Sequence, residues 1–182
     1  MSRESKRKEI RKTVESVLKR AKIPQVDQDI FSQRSIPTEH ETLPIILLYP
    51  KTENIDRNDH SPKSYQRVLA MEIEVQTTAD NDSILADELD DLAQYVEDAM
   101  ESSKELIELL NELDLKSVVY DTESDGSSPI GSVRLSYDLE YFTDESRDSD
   151  DLVPFKCMNT EYDLDTEDNE IDAEDLIKLP QE

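Results

Sequence analysis

The sequence predicts an α+β domain, a mainly antiparallel (mixed) sheet of about four strands with helices packed on one face. Three observations predict it. Residues Leu43 to Tyr49 read Leu-Pro-Ile-Ile-Leu-Leu-Tyr, an apolar run of strand length in a chain that is charged nearly everywhere else. Two later segments, Val68–Thr77 and Val133–Phe142, alternate apolar with polar residues, the period of a strand with one covered face. Between them, residues 83–113 carry apolar side chains at steps of three and four, the period of a helix stripe.

Taken in order, residues 3–21 place Ile10, Val14, Val17, Leu18 and Ala21 on one helical face, with Lys and Arg on the others. Pro24 stops this basic helix, because proline cannot continue a helical ladder. The connection from Gln25 to Thr42 holds Ile30, Phe31 and Ile36, enough apolar surface to pin it to a core. Ile45 to Tyr49 is apolar at consecutive positions, as in a strand covered on both faces, and Pro44 and Pro50 bracket it.

Residues 51–66 change to Asn, Asp, Pro, His and Ser and read as a long exposed loop. The next strand sets Leu69, Met71, Ile73 and Val75 against Ala70, Glu72, Glu74 and Gln76, so its polar face needs water or a partner. Asp80 to Ser83 supply capping oxygens for the helical stretch 83–113. Its stripe runs Leu85, Leu89, Leu92, Val96, Ala99, Ser103, Leu106, Leu110, Leu113. Flanking apolar residues widen it beyond a coiled-coil seam, so it reads as one helix, or two broken near Ser102–Ser103, packed on the sheet. Opposite lie Asp87, Asp90, Asp91, Glu97, Asp98 and Glu101. Their mutual repulsion costs about 0.2–0.5 kcal/mol per pair, against about 1.5–3 kcal/mol for burying one Leu, so core packing decides. A short strand follows at Ser117–Tyr120, then a turn with Gly126, then the closing strand with Arg134, Ser136, Asp138 and Glu140 on its polar face.

Charge divides the chain. The net charge is -25 with 36% charged residues, yet the first 22 residues hold nine basic and three acidic groups, a net of +6. From Asp144 to Glu182 there are 15 acidic and three basic residues, a net of -12. We therefore read residues 1–143 as the folded domain and 144–182 as an acidic, flexible extension. Within it, Ile171 to Leu179 keeps four apolar residues and could equally dock on a partner as a short helix or be disordered tail. The amino terminus lacks the apolar core of a secretory signal, and the run at Leu43 is too short to cross a bilayer. Cys157 is the only cysteine, so no internal disulfide is expected and the compartment should be a cytoplasm.

Reaction chemistry is not expected. With only Gly126 and Gly131 there is no Gly-rich phosphate loop. His40 and His60 lie in polar segments, and Asp59, His60 and Ser61 are chain neighbours without the geometry of a triad. One cysteine and two scattered histidines do not make a zinc site. Asp163, Asp165, Glu167 and Glu174 mimic calcium-loop spacing, but Asp168 stands where the turn needs Gly and Glu170 where an apolar residue is usual. No cofactor or metal is expected. The basic first helix has the charge to meet phosphate but no aromatic residue for stacking, so its basic face is expected to be solvated, or to contact an acidic face of a neighbouring subunit or this chain's own tail.

The order of elements, with Leu43-Pro44 after Pro37 and the Tyr-rich strand 133–142 at the end, resembles the lambda gpU-like tail terminator (tail-completion) proteins of long-tailed bacteriophages over roughly the first 145 residues. The resemblance implies a structural virion protein and no enzyme. It implies self-association into a ring, a hexamer in this family, that caps the tail tube, stops its polymerisation and offers a surface to the head–tail connector. Genomic DNA would pass through without specific binding, assembly would take place in the host bacterial cytoplasm, and no membrane is involved. On this reading Glu72, Glu74, Asp138 and Glu140 would face the lumen or a partner, and Asn54, Arg57, Lys63 and Tyr65 would form an inter-subunit loop. The extension after residue 143 has no counterpart in the resemblance. The alternative class is an acidic binding protein, a nucleic-acid mimic or a regulator that sequesters a basic partner; another neck or head-closure component is a third reading.

Overall fold

The structure is a computed structural model that describes residues 5–26, 28–32, 43–60, 63–124, 129–144, 157–162 and 173–178. The chain divides into two compact units, residues 1–145 and 146–182. The first runs α1 (Lys6–Ala21), β1 (Ile30–Ser32), β2 (Ile45–His60), β3 (Lys63–Thr78), α2 (Asp82–Glu101), α3 (Lys104–Leu109), β4 (Glu112–Ser124) and β5 (Pro129–Asp144). Its strands form one five-stranded sheet ordered β1-β2-β3-β5-β4, in which β1 alone pairs parallel. The α+β class and the mixed, mostly antiparallel sheet agree with the sequence reading; the strand it did not anticipate is β1. Three residues are too few to show a period, and the pairing of Ile30 to Ile46 is what makes them a strand.

Alternation sets the core. Leu69, Met71, Ile73 and Val75 of β3 and Val133, Leu135, Tyr137, Leu139 and Tyr141 of β5 are all buried. They share one cluster with Ile10, Val14, Val17 and Leu18 of α1 and with Leu85, Leu89, Leu92, Val96 and Met100 of α2. On β2, Ile46 and Leu48 join that cluster while Ile45 and Leu47, also buried, belong to the opposite face. The consecutive apolar run therefore marks a strand covered on both sides. Helix α2 packs tightly over Gly131, where an added Cβ would lie 2.6 Å from Leu89 Cδ1 and 3.2 Å from Leu85 Cδ2.

Local chemistry places the helix ends. The Asn81 side chain accepts from the Ile84 N–H at 3.0 Å and starts α2. Ser103 caps α3 by accepting from Leu106 N–H at 3.3 Å, so the helical stretch breaks at Ser102–Ser103. Beyond α3 the backbone is extended from Leu110, and β4 begins at Glu112. Leu113, which continues the helical stripe in sequence, is a strand residue packed against the core instead. Helix α1 ends at Lys22, which adopts a left-handed conformation (φ 50).

The largest departure from expectation lies at residues 51–66. They are not a loop: 51–60 extend β2 and 63–66 begin β3, paired from Thr52↔Ala70 to His60↔Lys63. Pro50 does not end the ladder, because a register shift between Pro50 and Thr52 absorbs its missing donor. The result is a hairpin arm, flanked by β5 as far as Ser64↔Asp144. In the second unit, β6 (Cys157–Tyr162) and β7 (Ala173–Lys178) form a two-stranded antiparallel sheet, so residues 173–178 are strand and not the suggested helix. Among the described residues no helix is long and apolar enough to cross a membrane.

Two substitutions test this packing. Gly131→Val should lower the unfolding free energy by about 1–3 kcal/mol, because the new side chain displaces Leu89 and Leu85. Tyr137→Phe should be neutral or stabilising within about 1 kcal/mol, since the Tyr137 hydroxyl is buried with no hydrogen-bond partner among the described residues. Urea denaturation followed by circular dichroism measures both.

Candidate assembly surface

Strand alternation turns one side of the sheet into the core; on the other side Ile45 and Leu47 of β2 are buried, while the polar side chains of β3 and β5 are partly exposed. Glu72 and Glu74 of β3 and Asp138 and Glu140 of β5 alternate with buried residues, so all four carboxylates lie on this outer face. The register adds residues from β4: Glu112 sits opposite Glu140, and Asp114 opposite Asp138. Like charges directly across a ladder repel. The fold answers with nearby donors. Lys116, placed at the register shift in β4, lies 2.9 Å from Asp114 and 3.9 Å from Asp138. Its hydrogen bond to Asp114 holds the Lys116 ammonium above its ordinary pKa. Gln66 Nε2 and Asn111 Nδ2 donate to the Glu140 carboxylate at 2.7 and 2.6 Å.

The other acids are partnered as well. Lys51 Nζ is 2.9 Å from Glu72 and 5.0 Å above the Tyr49 ring. Glu74 accepts from Gln76 Nε2 at 3.1 Å and stands opposite Arg134, whose Nη2 donates to Asp121 at 3.1 Å. Glu74, Gln76, Asp121, Ser132 and Arg134 line a depression of about 230 Å³ on this face, and the buried Arg134 Nε has no hydrogen-bond partner among the described residues. The outer face thus carries an acidic field, partly neutralised and held in fixed positions by the pleat. Such a surface suits a basic partner.

Of the residues read from sequence as an inter-subunit loop, the structure brings Arg57, Lys63 and Tyr65 to one side of the arm and leaves Asn54 on the other. Asn54 is exposed on the outer side, while Arg57 pairs with Tyr65 on the helix side of the arm, where Lys63 also lies. Composition gave no sign of a second polar group, at the root of this arm. Glu53, with a side chain 8% exposed, receives the Tyr141 hydroxyl hydrogen bond and that of Arg67 Nη1 at 3.0 Å, and Arg7 of α1 lies 3.7 Å away. Burial, then the bond to Glu53, pushes the Tyr141 hydroxyl well above its ordinary pKa. The signal was present only as a Glu within a polar run, and its partner lies 88 residues away.

Of the other sequence candidates, His60 is exposed and its backbone N–H donates to Asp59 Oδ1 at 3.0 Å. His40, Ser61, Ile36 and the acidic positions Asp163, Asp165, Glu167, Asp168 and Glu170 lie outside the described residues, and Glu174 is in β7. Among the described residues no group of three or more potential ligands is close enough to hold a metal ion. Cys157 is exposed. On α2, Asp90 accepts from the Tyr120 hydroxyl at 2.6 Å, which with burial pushes that hydroxyl up to about 12.

Comparison with known proteins gives one result. The profile of the family described as phage minor tail protein U matches residues 5–141, the stretch that spans α1 to β5. No curated protein matches the chain.

The arm root yields a test. Glu53→Ala should destabilise the protein by about 1.5–3 kcal/mol, the range for hydrogen bonds to a charged group, because it strands Arg67 beside a buried hydroxyl. Urea unfolding measures it; a loss within about 0.5 kcal/mol, as for an ordinary surface change, would show that the arm does not depend on this group.

Proposed function

Because the chain belongs to the phage minor tail protein U family, and so has a structural role in the phage tail as a virion component, we propose that it is the tail terminator. In this reading copies of the chain close into a hexameric ring that caps the tail tube, halts its growth and offers a joining surface to the head–tail connector. The observation that carries the reading is the extent of the family match, which takes in every helix among the described residues and the five-stranded sheet up to residue 141 of β5. The geometry supports it. A broad sheet face carries fixed carboxylates, and the arm of 51–66 extends the sheet by paired strands.

The acidic outer face is the partner-facing surface in this reading. The net charge of -25 keeps genomic DNA from adhering as it passes, since like-signed fields repel. The acidic extension after residue 143 is assigned to the connector side. Its ribbon exposes Met158, Leu176 and Ile177, and a two-stranded ribbon is marginal in water without further contacts.

Light scattering after size exclusion tests the reading, with and without purified tail tubes. The expected species has six times the 21.0 kDa chain mass, formed in solution or on tube ends. Added to polymerising tube protein at a small molar fraction, the chain should fix tube length. A monomer that ignores tubes and instead binds basic proteins in a salt-sensitive way would replace this reading with that of an acidic binding protein.

A further inference from the structure

The helix side of the sheet is buried where α1 and α2 pack on it, and it stays open on the arm. From Leu69 to Val75 the inward side chains of β3 share one core with both helices. Alternation continues that side outward along the arm to Ile55 and Arg57 of β2 and Tyr65 of β3. There Ile55 is 49% exposed, Arg57 is exposed and Tyr65 is half-buried. Arg67 is already taken by Glu53 at 3.0 Å, whereas Arg57 has no ion pair or hydrogen bond among the described residues. A second open surface lies on α2. Ile84, Asp87, Asp91 and Tyr95, at steps of three and four, form one line along its solvent side. Ile84 is 43% and Tyr95 47% exposed, and neither Asp87 nor Asp91 has an ion pair or hydrogen bond among the described residues. The two surfaces lie at opposite ends of β3. The start of α2 packs over Gly131, opposite Thr77, while the arm leaves the sheet at Ser64↔Asp144.

Resting on the ring reading, we infer that the helix side of the arm in one copy seats on the Ile84–Asp87–Asp91–Tyr95 side of α2 in the next. Charge complementarity selects this occupant. Arg57 meets the two open carboxylates, Asp87 and Asp91, while Ile55 and Tyr65 meet Ile84 and Tyr95. An isologous contact of arm on arm would set Arg57 against Arg57, and one of α2 on α2 would set acid against acid, each opposing association. Architecture favours the same choice. The helix side of a sheet is buried by packing helices on it, and the neighbour's α2 continues over the arm the layer that this copy's own helices begin. Tyrosine suits such a contact, since it brings a large apolar ring at little cost in side-chain freedom. Because the contact joins two different surfaces it is heterologous, the kind from which rings are built when the rotation closes. The charged part is screened beyond roughly 8 Å at physiological salt. Assembly should therefore weaken as salt rises, yet persist through its apolar part.

The experiment uses the full chain and reciprocal charge reversal, under the condition, with or without tail tubes, in which the unaltered protein forms its ring. One variant carries Arg57→Glu; the other carries Asp87→Lys with Asp91→Lys. Light scattering should show loss of the ring for either variant alone. An equimolar mixture should recover it, because in an alternating ring every arm then meets an α2 of opposite charge. A single chain bearing all three changes should also assemble. Circular dichroism of each variant alone checks that it is folded, and recovery on mixing shows the same. If both variants form rings as well as the unaltered protein does, the assignment of these surfaces is overturned while the ring stands. The same holds if the mixture and the threefold variant both stay monomeric. Variants that form rings but no longer fix tube length would place the tube protein under the arm, which also overturns the inference. If the unaltered protein forms no ring with or without tubes, the terminator reading fails first, and this inference with it.

Discussion

The register between β3 and β5 is the constraint on which the remaining structure depends. Fifteen residue pairs, from Ser64↔Asp144 to Thr78↔Ile130, follow without a shift. Because side chains alternate, a slip of one residue would exchange the two faces over the whole length. Met71, Ile73 and Leu135 would leave the core, and Glu72, Glu74 and Asp138 would enter it without partners, a far larger cost than any surface contact returns. The same register fixes where helices rest. Gly131 stands opposite Thr77, and its missing side chain admits Leu85 and Leu89 of α2. Helix packing and the acid array are thus two results of one alignment.

Much of this was legible because period carries the information. The alternation of Leu69 to Val75 and of Val133 to Tyr141, and the helical steps from Leu85 to Leu110, need only local spacing to be seen. Even the helix break is written locally, in the capping hydroxyl of Ser103. What escaped reading depends on partners distant in the chain. Residues 54–60 are strand because β3 supplies a ladder, while their side chains are exposed and obey no pattern. Leu113 fits a helical stripe by spacing alone, and only its pairing with Leu139 makes it strand. The four outer-face acids could be grouped from sequence, since alternation assigns a face. The pairing of Asp138 with Lys116 and the hydrogen bonds of Gln66 and Asn111 to Glu140 could not, because they follow from strand order.

Charge is segregated on a scale larger than any single pair. The basic residues gather at the start of the chain and the acids on the sheet and α2, so a molecule of strongly negative total charge keeps a positive side. Intramolecular pairs such as Lys19 with Glu15, and Arg20 with Glu105 of α3, fix part of that positive side in place. Surface pairs of this kind add little to stability. Their value lies in orientation, holding α1 against α3 and its lysines on a defined line.

The arm at 51–66 has a consequence of its own. Holding a loop still at a contact means giving up its backbone freedom, about 1–2 kcal/mol for each residue fixed. A paired ribbon has given up that freedom during folding, before any neighbour arrives. Tied down at its root by Glu53, Arg67 and Tyr141, it arrives as a stiff probe whose shape is already decided. Contacts too weak to order a loop are then enough to hold it, and they remain weak enough to release.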